Sequence, residues 1–308
     1  MRCKSCLATW GRREEFRFIH DKFGLGTPRV LLELPAFNKW RRAVYLAATE
    51  LKLSQEDMKR IEELFRLLGE RKCRRSDSVY EGLLTWLENA ENEFDRKPFA
   101  AIIAGQNPRG HRAVLVFEHL GVDSPRWVCE VGACPARTPE ALAVALSALL
   151  MNCKQLHLID PHFGPENPRH RKVLEALMNV LVDHKALPEV VRVHCSAKTP
   201  LAFFEQEAVK MAGRLPAGAT VEFVRWSQKR GGEGLHNCYV LTDIGGVMIG
   251  TGLDEGRPGE TDDLLLMPRA QYERRWAQYV TAHGTFDCVD RPSKVAGTQA
   301  TRPQRSYG

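Results

Sequence analysis

The chain has 308 residues, of which 44% are hydrophobic and 27% charged, and its formal net charge is +6. That balance is ordinary for a globular protein and is enough for one large core or two modest ones. No run of about 18 apolar residues occurs, which argues against a membrane span, and the mild positive charge leans toward an anionic partner without reaching the density of a protein that coats nucleic acid.

The opening stretch MRCKSCLATWGRREEF lacks the apolar core of a signal peptide, so the expected address is the cytoplasm. Nine cysteines at irregular spacing read as thiols in a reducing compartment rather than as a disulfide framework. Cys3 and Cys6 form half of a zinc site. Its other ligands would have to come from Cys73 and His20, which lack a paired spacing, so no metal or cofactor is expected.

Residues 1–36 carry no assignable pattern. From Phe37 to Leu53 apolar residues recur at helical spacing. Ser54 then caps a second amphipathic helix that stops at Gly69, and Asp77 or Ser78 caps a third, over 79–94, that fades before Lys97–Pro98. After Pro98 the runs FAAIIAG, RAVLVFEHL and RWVCEVG read as short strands separated by turn signals. Thr138 caps a helix, after which strands and helices alternate: KQLHLID, RKVLEALMNVLVDH, EVVRVHC, PLAFFEQEAVKMAGRL, TVEFVRW. Such alternation predicts a parallel or mixed sheet covered on both faces. A hairpin at 238–243 and 246–250, the run DDLLLMP and a helix from Ala270 to His283 complete the domain. The expected class is α/β: a mixed sheet flanked by helices over 98–290, preceded by a smaller helical domain over 1–97. The tail over 291–308 is polar and basic, and is expected to stay disordered.

The stretch LHNCYVLTDIGGVMIGTGLDEG carries the chemistry. His236 is followed by Asp243 seven residues on and by Gly250 and Thr251 fourteen and fifteen residues on. This spacing resembles the phospholipase D superfamily motif H-x-K-x4-D-x6-G-S-x-N, with Cys238 in place of the lysine, Thr251 in place of the serine and Leu253 in place of the asparagine. LHLIDPHF at 156–163 resembles the strand end that precedes the first long helix of such domains, and the likeness covers roughly residues 100–285.

The resemblance implies that His236 attacks phosphorus to form a phosphohistidine, that a second histidine protonates the leaving oxygen, and that no metal takes part. It gives Asp243 the task of orienting a histidine, and Gly250 and Thr251 that of holding phosphoryl oxygens. One motif per chain implies a homodimer, or a local acid such as His162 beside Asp160. Lys229, Arg230, Arg169 and Arg171 are candidates to replace the missing lysine. Asp160 and His162 follow a strand end, where open α/β sheets place ligands, although Asp160 also suits a turn.

The same resemblance implies a phosphodiesterase or nuclease-type subunit acting on or binding nucleic acid, of the kind found in bacterial restriction and phage-defence systems and working with protein partners. GTGLD at 250–254 is closer to the PLD-like C-terminal domains of MIT-domain proteins, which implies an inactive module that binds a phosphate ligand or assembles a complex. The carboxylates Asp254, Glu255, Glu260, Asp262 and Asp263 suit either a mobile acidic surface loop or a divalent-metal site, and a metal-dependent nuclease using Asp160 with the carboxylates of 260–263 is a third expectation. The basic clusters at 71–77 and 168–172 read as solvated faces.

Overall fold

The computed structural model describes residues 18, 21–69, 72–73, 78–281 and 284–300. Cys3, Cys6 and His20 lie outside them, as do the side chain of Cys73, most of the basic cluster at 71–77 and residues 301–308. The chain divides into two compact units, Met1–Glu130 and Val131–Gly308.

Among the described residues, the first unit holds three α-helices of ten or more residues and two short strand pairs. β1 (Leu31–Leu32) is followed by α1 (Phe37–Glu50), α2 (Gln55–Gly69) and β2 (Lys72–Cys73), which pairs in parallel with β1. α1 and α2 share a core of Val44, Ala48, Ile61, Leu64, Phe65 and Leu68. Ser54 begins α2 as expected, its hydroxyl accepting from the Asp57 amide at 3.1 Å.

The third helix departs from expectation. α3 runs over Trp86–Arg96, and Thr85 with Glu88 makes a capping box at its start. The box satisfies two otherwise unpartnered amides, whereas Val79 and Leu83 upstream are exposed and offer no face to bury. β3 (Ile102–Ala104) and β4 (Val114–Val116) pair in parallel. They pack with α3 through Ala90, Phe94, Ile102, Ala113 and Val114. The boundary expected near residue 97 therefore falls inside this unit, because one core joins the helix before Pro98 to the strands after it.

Among its described residues, the second unit is built on a nine-stranded mixed sheet with helices. Its elements are β5 (Gly132–Ala133), α4 (Pro139–Leu150), β6 (Gln155–Ile159), α5 (Pro168–Asp183), β7 (Val190–Ser196), α6 (Leu201–Lys210), β8 (Thr220–Gln228), β9 (Cys238–Thr242), β10 (Gly245–Ile249), β11 (Leu264–Leu266), α7 (Arg269–Trp276), β12 (Phe286–Cys288) and β13 (Ser293–Ala296). The strand order is β12-β8-β7-β6-β9-β10-β11-β5, with β13 also pairing β8. β6, β7 and β8 are parallel neighbours, and β9, β10 and β11 continue the sheet antiparallel.

Two expectations fail here. RWVCEVG forms no strand before Gly132, since Arg126 takes a positive φ of 64° and only Gly132–Ala133 reaches β11. Nor is the segment from Arg291 irregular throughout: β13 aligns Val295 with Val221 and buries it to 5% exposure.

Alternation sets the two faces of the sheet. Leu156, Leu158, Val191, Val193, Cys195, Val221, Phe223, Cys238 and Val240 face α4, α5 and α6 in one apolar core. Each such aliphatic side chain contributes roughly 1.5–3 kcal/mol by leaving water. The opposite face carries His157, His194, Trp226 and Tyr239 under Trp276 and Tyr279. There the indole N–H of Trp226 donates to His194 Nδ1 at 3.0 Å, and His194 Nε2 lies 3.0 Å from His157 Nδ1. An indole can only donate, so His194 Nδ1 carries no proton and the bond to His157 runs from His194 Nε2. Among the described residues, no helix is long and apolar enough to cross a membrane.

Candidate functional site

The polar residues of the second unit converge at the edge of the sheet where β6 and β10 end and β9 and β11 begin. β6 leaves the core at Asp160, which is 1% exposed. Its Oδ1 accepts from the His162 amide at 2.8 Å, closing a turn over Pro161, and its Oδ2 accepts from the Leu253 amide at 2.9 Å. Asp160 thus serves the turn and also reaches the Gly-Thr-Gly loop. His162 contributes its backbone here, and its side chain is exposed.

Cys238 opens β9 beside this carboxylate. Burial first, then the charge and hydrogen bonding of Asp160, push its thiol well above the ordinary range. A β-carbon on Gly252 would stand 3.2 Å from Asp160 Oδ2 and 3.9 Å from Cys238 Sγ, and the residue takes a φ of +155°. Glycine lets the loop lie directly on the carboxylate.

His170 closes the same corner from α5, whose N-cap Asn167 accepts from the Arg169 amide at 3.0 Å. His170 Nδ1 accepts from the Gly164 amide at 3.2 Å, which leaves Nε2 as the protonated nitrogen, 3.7 Å from Asp160 Oδ2. Burial holds this imidazole below its ordinary range, outweighing the nearby carboxylates Asp160, Asp254 and Glu166.

The third component is Arg137, just before the cap of α4 and 7% exposed. It bonds Asp254 Oδ1, and lies 3.4 Å from Glu260 Oε2 and 3.8 Å from Asp262 Oδ2. Arg169 Nη2 meets Asp254 Oδ2 at 2.8 Å, and Lys172 Nζ meets Glu255 Oε2 at 2.6 Å. Asp262 Oδ1 accepts from the Thr251 amide at 3.0 Å and from its hydroxyl at 3.2 Å. A β-carbon on Gly250 would come within 2.9 Å of that same oxygen.

The acidic loop over 252–263 is therefore tied down by arginine and lysine. Arg137 stands where a metal shared by Asp254, Glu260 and Asp262 would have to sit. Among the described residues, no group of three or more His, Cys, Asp or Glu is arranged to hold a metal ion.

Other expected site residues lie elsewhere. Asp243 turns the β9–β10 hairpin, its Oδ1 accepting from the Lys154 and Gln155 amides at 2.7 and 3.0 Å. It stands at the opposite end of β9 from Cys238, about 17 Å away at roughly 3.3 Å per residue, so it orients no histidine at this site. It anchors the start of β6 instead. His236 precedes β9 at this same edge and is exposed, with its ring folded back over Gly234.

Lys229 donates to the Gly284 carbonyl at 2.7 Å and Arg230 is exposed at the end of β8, two strands from β6. Arg171 faces the Pro165 carbonyl at 3.2 Å and Glu207 at 3.8 Å. Of the four candidate cations only Arg169 reaches the site. Arg137 and His170 belong to it without having been singled out by motif spacing.

No protein-family model matches the chain, and no curated protein matches it.

Proposed function

We propose that the second unit is a phospholipase D-like domain that no longer transfers phosphoryl groups and serves as a binding or assembly module. The observation that carries this reading is Cys238, which occupies the motif's lysine position buried against Asp160. A phosphohistidine mechanism needs fixed positive charge around the non-bridging oxygens. Here three carboxylates, Asp254, Glu260 and Asp262, gather around two arginines, and both guanidinium groups are engaged by Asp254. Protein partners or nucleic acid are the ligands this module would serve, alone or as a homodimer.

A second reading keeps a metal-independent nuclease-type phosphodiesterase of bacterial defence, with His236 as nucleophile. The exposed His236 side chain at the same sheet edge as Thr251 favours it.

Incubation of the full chain with single- and double-stranded DNA in EDTA separates the two. The module reading expects no cleavage, and nucleic-acid or partner binding unchanged by His236→Ala. Cleavage in EDTA that His236→Ala abolishes would overturn it. Cleavage that needs magnesium or manganese would sink both readings.

A further inference from the structure

Asp254 sits in a fork made of two guanidinium groups. One carboxylate oxygen lies on Arg137 Nη2, and the other accepts from Arg169 Nη2 at 2.8 Å. Two arginines converging on one anion is also how proteins hold a phosphate group, through parallel N–H donors aimed at separate oxygens. Arg137 is 7% exposed, its Nη1 faces Glu260 Oε2 at 3.4 Å, and its Nε has no hydrogen-bond acceptor, Asp262 Oδ2 standing 3.8 Å away. A buried donor is thus left over beside the carboxylate, where a tetrahedral anion has an additional oxygen to offer.

Access and persistence also fit. The Arg169 side chain is 46% exposed and that of Asp254 16%, so a competing anion reaches the pair from solvent. The loop does not depend on the Asp254 side chain alone. The Glu255 and Gly256 amides donate to the Arg169 and Arg137 carbonyls, at 3.3 and 2.7 Å, and Lys172 holds Glu255.

We propose that Arg137 and Arg169 form a binding site for a phosphate monoester group, occupied in the free protein by the chain's own Asp254. A terminal phosphate brings more charge and more acceptor oxygens than the carboxylate it displaces, and these work against Glu260 and Asp262, which stay 3.4 and 3.8 Å from Arg137. The internal aspartate sets a threshold: weak anions leave the site shut, and a terminal phosphate opens it. This deepens the binding-module reading by naming the ligand chemistry.

The test is thermal unfolding of the full chain at constant ionic strength, as wild type, Asp254→Ala and Asp254→Ala/Arg169→Ala. Each is titrated with inorganic phosphate, with an oligonucleotide bearing a 5′-phosphate, and with the same oligonucleotide bearing a 5′-hydroxyl. A bound ligand raises the melting temperature in a saturable way. Asp254→Ala is expected to bind inorganic phosphate about tenfold or more tighter than wild type, the gain of removing a competing charged hydrogen bond. The double variant should lose that gain. Asp254→Asn, which keeps the volume and removes the charge, carries the same expectation should the alanine variant fail to fold.

A response to the 5′-phosphorylated strand above that of inorganic phosphate assigns the site to nucleic-acid ends. A response to inorganic phosphate alone assigns it to small phosphates. Equal shifts in all three proteins, or a saturable response of the same size to both oligonucleotides, would overturn the proposal. That failure leaves the inactive-module reading standing, whereas His236-dependent cleavage in EDTA removes the latter and not the former.

Discussion

At the scale of single residues, Asp160 is the hinge of the site because three elements meet on its carboxylate. Gly252 permits the approach of the loop over 252–263. Gly252→Ala is expected to destabilise the protein by about 1–3 kcal/mol, the usual cost of a strained backbone position. Denaturant unfolding reads it, with Gly213→Ala as the control, since no atom stands within 4 Å of a β-carbon there. His170 sets a pH dependence with a definite sign. Its folded-state pKa is lowered by burial, whereas the unfolded ring binds a proton near pH 6.5. Between those values the unfolded state holds more protons, so the contribution is fully present above about pH 6.5 and is lost as the pH falls through the folded value. Denaturation midpoints should drop from about pH 7 to about pH 5, and His170→Gln should flatten that slope.

At the scale of elements, the Thr85–Glu88 box is the clearest local determinant. Thr85→Ala is expected to cost about 1 kcal/mol, visible in the unfolding midpoint, whereas Ser78→Ala at the cap expected from the sequence should be close to neutral. The difference shows what the sequence could reveal. Apolar runs and caps marked β6 to β10 and the helices between them, because burial on both sheet faces leaves long unbroken apolar stretches. α3 was overextended because Val79 and Leu83 continue its helical spacing while pointing at water. The sequence places β5 too early, over RWVCEVG, and misses β13: two and four residues, half of them exposed, acquire strand geometry only from β11 and β8. The site divides in the same way. His236, Cys238 and Gly250–Thr251 stand at fixed spacing along one hairpin and could be read, as could the strand end at Asp160. Asp243 shares that spacing yet lies at the wrong end of the strand. Arg137 and His170 come from separate elements whose approach only the tertiary fold dictates. Thiol chemistry gives one more check on these elements. Burial pushes Cys153 and Cys195 up to about 12, so neither forms a thiolate near neutral pH. Iodoacetamide on the native protein is expected to modify the exposed Cys134 and Cys288 and to spare this buried pair.

At the scale of the whole molecule, the last described segment belongs to the second unit's fold. After β13 the chain runs back along the turn below α6: the Gly297, Thr298 and Gln299 amides donate to the carbonyls of Ala219, Ala212 and Leu215. A chain ending at Asp290 loses these bonds and the burial of Val295, so its stability should fall by about 2 kcal/mol or more. A disordered tail would make the same truncation silent. The strand order carries a consequence for colloidal behaviour. At one margin β8, nine residues long, is screened in two short pieces by β12 and β13. At the other, the sheet tapers to the two residues of β5. Neither margin offers a long run of unsatisfied backbone groups on which another chain could crystallise its own strand. A sheet of nine strands is thereby protected from edge-to-edge growth without a single barrel closure, and removing β13 would lay part of β8 open, turning a dispersed protein into one that scatters light as it is concentrated.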